Sequence, residues 1–155
     1  MRHSGAWGPT LVATALIAGT LDIIYAIAFS YFHGGTSPMR LLQSIAYGAL
    51  GRDAYNGGAA TAALGLGFHF LIAFTIAAIF FVAASPYPSL TRRPMVTGSL
   101  FGIGVYLVMN LVVLPLSRIG PRPLPPAIVM VIGVLAHMFL IGVPIALGAR
   151  RRKTN

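Results

Sequence analysis

One polar residue of chemical interest stands in each of four long apolar stretches of this chain: Asp22, His69, Asn110 and His137. An acid inside a membrane is costly to charge, and such residues mark binding sites and proton pathways. A histidine beside it can take or give a proton near neutral pH. Together they suit a buried polar cluster that binds or relays something, with the Tyr25 and Tyr106 hydroxyls within reach on the same helix faces. The same residues can also serve as interhelical glue, with Asp22 hydrogen-bonded to a histidine, to Asn110 or to a tyrosine. A third chemistry needs only the two histidines: His69 and His137 as axial ligands of a b-type haem.

Most enzymatic signatures are missing. There is no phosphate-binding loop, and the one lysine is Lys153 in the tail. There is no HExxH and no GxSxG. The only acids are Asp22 and Asp53, too far apart in depth to act as a pair. No cysteine is present, which removes thiolate chemistry and covalent haem attachment. A non-enzymatic protein is expected: a proton-coupled transporter or transport component, or an assembly or scaffold subunit with no ligand, with no resident cofactor unless the histidines hold haem.

The elements that position these residues follow from hydropathy. Of the 155 residues 57% are hydrophobic and 8% are charged, against roughly 25% charged in soluble domains. A bilayer is the solvent that hides so much apolar surface. At about 1.5 Å per residue, roughly 20 residues cross a hydrocarbon core of about 30 Å. Four stretches meet that length: residues 9–32, 58–84, 95–117 and 127–149. Ser85-Pro86-Tyr87-Pro88 and the run Gly120 to Pro126 break the chain between them. Arg2 and Ala26-Ile27-Ala28 resemble a cleaved signal, but the first stretch is long for one and Asp22 interrupts it.

Between the first two stretches, Ser37-Pro38 is a helix start and Gly51 a stop. The spacing predicts a helix over 38–50 with Leu41, Leu42, Ile45 and Ala49 on one face and Arg40, Gln43, Ser44 and Tyr47 on the other. It is too short to cross, so it is expected to lie at the membrane surface or to form a shallow re-entrant segment. The whole is an all-α, single-domain, four-transmembrane-helix bundle with one short amphipathic interfacial helix.

By the helical rise, Asp22, His69, Asn110 and His137 fall within roughly 6 Å of the midplane, on one side of it. Each lies on a stripe of small residues: Ala15, Ala18 and Gly19 for Asp22, Gly65 and Ala73 for His69, Ser99 and Gly102 for Asn110, Gly133 for His137. Small residues mark helix–helix contacts in membranes, so the polar groups should face one another. Gly98 and Gly102 form a GxxxG that suits packing within the bundle or between copies, so a homo-oligomer is one expectation. Pro144 should kink the last span.

The net charge of +9 is spread singly or in short runs between the spans, a topology signal rather than a nucleic-acid surface. One side carries Arg2, Arg92, Arg93, Arg150, Arg151, Arg152 and Lys153; the other carries Arg40, Arg52, Arg118 and Arg122. This bias puts both termini in the cytoplasm. The partners expected are the bilayer itself and anionic headgroups at Arg150, Arg151, Arg152 and Lys153.

The second half resembles small bacterial inner-membrane proteins of the YagU-like group, whose molecular function is unknown. Gly67-Phe68-His69 opening an apolar run, Leu114-Pro115-Leu116 ending one, a proline-rich turn and Ala136-His137 inside the last span carry the likeness. The resemblance implies a bacterial inner membrane and four helices, and supplies no reaction.

Overall fold

The computed structural model describes residues 7–151, and within these it is helical, with no strand. Arg2, His3, Arg152 and Lys153 lie outside the described residues. Four helices are long and apolar enough to cross a membrane: α1 (Trp7–Gly34), α3 (Gly58–Ala84), α5 (Pro94–Leu116) and α6 (Ala127–Arg151). Between them lie α2 (Pro38–Leu50) and the single turn α4 (Ser89–Arg92).

The start and stop signals of α2 act as their chemistry requires. The Ser37 hydroxyl accepts from the Arg40 amide at 3.3 Å, and Pro38 opens the helix. Gly51 ends it at φ 69°, a conformation that favours glycine. Gln43 does not stay on the polar face with Arg40. Gln43 (4% exposed) and Ala46 (0%) are the buried residues, and Ala49 is exposed. The reason is a polar anchor. Gln43 Nε2 donates to the Gly58 carbonyl at 3.1 Å, at the start of α3. Thr61, beside it, donates to the Ala54 carbonyl at 2.6 Å. Gly65 lets α2 close onto α3, because a Cβ there would collide with the Leu42 carbonyl.

Packing runs α3 against α1, α1 against α6, and α6 against α5. The α5–α6 crossing is made by glycine. A Cβ on Gly98 would stand 2.7 Å from the Val143 Cα, and one on Gly102 would stand 2.6 Å from the Met138 Cα. The GxxxG pair therefore serves a contact inside the chain. α3 and α5 do not pack along their lengths; Phe80 and Phe101 meet edge-on at 4.9 Å near one end.

The two ends of the molecule differ. At the end where α1 begins and α6 finishes, Trp7 stacks on Phe81 and Thr14 lies against Gly148. The core fills this half, with Ala15, Ala77, Phe81, Ile145 and Ala146 almost fully buried. At the other end, α2 and the proline-rich loop come together: the Arg118 amide donates to the Gly48 carbonyl at 3.0 Å, and its guanidinium to the Leu50 carbonyl at 3.4 Å. These bonds tie the proline-rich loop to the end of α2.

Two π turns interrupt the last two long helices, Met109–Val113 in α5 and His137–Gly142 in α6. Each stands just before a proline. The Leu114 amide reaches back to Met109 ahead of Pro115, and the Val143 amide to Met138 ahead of Pro144. A proline has no amide hydrogen and its ring crowds the carbonyl four residues back; one wider turn relieves both faults. The break expected at Pro144 takes this form.

Candidate functional site

A cavity of 440 Å³ occupies the α2 half of the molecule. All four long helices and α2 line it. Its apolar base is Ala18, Ile76, Val105, Ile141 and Ile145, directly above the packed core. Asp22, His69 and His137 face it from α1, α3 and α6, each near mid-length of its helix. At the α2 end it is bordered by Ser44, Gly48, Ser117 and Arg122.

Both histidines are held by backbone carbonyls. His69 Nε2 lies 2.8 Å from the Gly19 carbonyl of α1, and His137 Nδ1 lies 2.9 Å from the Gly133 carbonyl of its own helix. A carbonyl only accepts, so each of these nitrogens carries a hydrogen. The neutral tautomers are therefore opposite: His69 keeps Nδ1 as its acceptor, and His137 keeps Nε2. Tyr106 packs edge-on against the His137 ring at 5.3 Å, and Gly133 makes room for it.

Asp22 has no hydrogen bond and no ion pair among the described residues. Both histidines lie within its electrostatic reach, and so does Tyr25. The Tyr25 ring leans on Phe29 at 5.6 Å. Asn110 is elsewhere: its Nδ2 donates to the Tyr106 carbonyl at 2.9 Å, one turn back on α5. It lines a second cavity beneath the proline-rich loop, with Pro115, Pro121 and Arg122.

Arg122 borders both cavities, and sequence reasoning had used it only as a topology signal. The spacing places Ser44 on the polar face of α2, whereas Ser117 falls on the inward stripe that it gives to the third span, and Ser117 does line the cavity. No periodicity could have found Arg122 or Ser44, because their position depends on how α2 and the loop fold back over the helix ends.

The donor set limits what can bind. Among the described residues, no three of His, Cys, Asp and Glu are grouped so as to hold a metal ion. A haem iron taken by His69 Nε2 would have to break the bond to Gly19. An organic ligand with a polar end needs no such rearrangement: the cavity offers one carboxyl, two imidazoles and an apolar wall. Comparison with family models, with curated proteins and with solved structures finds no match to this chain.

Proposed function

We propose that this small multi-pass membrane protein is a proton-coupled transporter or transport component, in which Asp22 exchanges a proton for a solute held in the central cavity. The observation that carries the reading is the state of Asp22. Interhelical glue would show the carboxyl bonded across helices; instead His69, Asn110 and His137 all bond to backbone carbonyls and leave Asp22 facing the cavity. A carboxyl that alternates between proton and solute is a coupling device that needs one acid. His137 Nε2 and His69 Nδ1 are nearby acceptors for the displaced proton.

The cavity is open in the α2 half and closed by the core in the other, as one end state of alternating access requires. In this reading the long helices form a bundle in the bilayer, α2 lies at the outer interface, and both termini are cytoplasmic, as the arginine bias supports. Arg40, stacked over the Tyr55 ring at 3.6 Å, suits the water boundary. The basic run Arg150, Arg151, Arg152 and Lys153 in the sequence suits contact with anionic headgroups. The YagU-like resemblance supports a bacterial inner membrane.

The test is a flux measurement. Vesicles carrying the purified protein and a trapped pH dye are exposed to organic cations, organic anions and neutral solutes. One class should move protons in wild-type vesicles and not in Asp22→Asn vesicles. Equal proton movement in both would remove Asp22 from the mechanism.

A further inference from the structure

The wall of the cavity is incomplete. α3 and α5 touch through Phe80 and Phe101 near the terminal end and do not pack along their lengths. On the α2 side of that contact, Leu71 and Ile72 of α3 and Met109 and Val113 of α5 line the cavity. Leu71 is 60% exposed and Val113 37%, although both are lining residues. They border the unpacked stretch between α3 and α5, a slot that faces the hydrocarbon layer if the four long helices cross a bilayer. The slot leads to Asp22.

The aqueous route is guarded by charge of one sign. Arg122 stands at the α2 border of the cavity, with Arg118 tied to the end of α2 beside it. A hydrophilic cation coming from water meets these guanidinium groups first. A cation already dissolved in the bilayer does not. Apart from Asp22, the titratable and charged groups that line the cavity are His69, His137 and, at its α2 border, Arg122; Tyr25 lies within electrostatic reach of Asp22, and none of these is a second acid. The volume of 440 Å³ lies within the range of about 300–1,000 Å³ for pockets that enclose drug-sized molecules.

We infer that the ligand of this cavity is a lipophilic organic cation, taken from the hydrocarbon layer through the slot between α3 and α5 and neutralised by Asp22. The inference rests on the exchange reading of Asp22 and adds the substrate class and its route. The apolar walls receive the body of the ligand, and the carboxyl receives its charge once the proton has left. Cation and proton then compete for one group, so binding tightens as pH rises, by at most about tenfold per pH unit. Protonated His69 and His137 would also oppose a cation at low pH, but that part of the dependence would persist when Asp22 is replaced.

The probe is tetraphenylphosphonium, with tetramethylammonium as a hydrophilic cation and triphenylphosphine oxide as a neutral body of similar shape. Binding and proton release are measured on the full chain in lipid nanodiscs. Tetraphenylphosphonium should bind and release protons, and the other two should do neither. Asp22→Asn should weaken binding at least about tenfold, a modest demand on an ion pair in a medium less polar than water; Asp22→Glu should retain it. The chain has no cysteine, so a Leu71→Cys, Val113→Cys pair bridged by a bifunctional maleimide closes the slot alone, and it should slow binding strongly. Proton release driven by tetramethylammonium and not by tetraphenylphosphonium would overturn the substrate class and leave the exchange role of Asp22 standing. Binding unaffected by the bridge would overturn the lateral route. Binding of equal strength in wild type and Asp22→Asn would overturn both the inference and the exchange reading.

Discussion

His69 Nε2 donates to the Gly19 carbonyl oxygen across 2.8 Å, which ties the middle of α3 to the backbone of α1 one turn before Asp22. The bond makes His69 a positioning residue as well as a neighbour of the acid. His69→Phe keeps the ring and loses the donor, so it should lower stability by roughly 0.6–2 kcal/mol, the range for interhelical hydrogen bonds in membranes. His69→Gln can still donate and should recover most of that. Thermal unfolding in detergent reads both, and a His69→Phe protein as stable as wild type would mean that the bond contributes nothing.

Glycine at the α5–α6 crossing is required by backbone contact. A Cβ on Gly142 would run into the Gly98 carbonyl, whereas one on Gly104 meets nothing within 4 Å. Gly142→Ala should therefore cost about 1–3 kcal/mol through overpacking. Gly104→Ala should be neutral or slightly stabilising, since alanine is the better helix former. Similar unfolding temperatures for the two variants would contradict the close crossing.

The face of α2 is testable because the chain has no cysteine of its own. Ala46→Cys, at a fully buried position, should react slowly with a water-soluble maleimide, and Ala49→Cys should react quickly. Gln43→Leu removes the bond to the Gly58 carbonyl and should raise the Ala46→Cys rate as α2 loosens. If Ala49→Cys were the protected position and Ala46→Cys the reactive one, the inward placement of Gln43 and Ala46 would be contradicted.

The long helices were legible because apolar runs of crossing length, broken by proline and glycine, have few other solutions. Their limits differ from expectation by one or two residues, as at Trp7 and Gly34 of α1. Ser37-Pro38 and Gly51 likewise marked α2. Its orientation was not legible, because a periodicity argument sends every polar side chain to water. Gln43 instead goes inward to meet a carbonyl that only the tertiary fold brings near. The inner stripe assigned to Asn110 assumed unbroken turns of 3.6 residues, and the π turn at Met109–Val113 breaks that register. Asp22, His69 and His137 share a cavity as their small-residue neighbours suggested. Arg122 joins its border through a loop path that no local pattern encodes.

Orientation follows from the arginine bias and carries the direction of the cavity with it. A reporter active only in the cytoplasm should be active when fused after Asn155 and silent when inserted at Gly120 in the proline-rich loop. Activity at Gly120 and silence at the C-terminus would turn the cavity toward the cytoplasm.

The central claim is that the Asp22 carboxyl gives up and regains a proton in step with its ligand. Infrared difference spectroscopy of the protein in lipid sees that carboxyl directly, and Asp53 is the only other side-chain acid in the sequence. Wild type should show a protonated-carboxyl band that falls as pH is raised and falls further when tetraphenylphosphonium is added at fixed pH. Asp22→Asn should lack the band and both responses. A wild-type spectrum in which no band assigned to Asp22 responds to pH or to any added solute would contradict the claim.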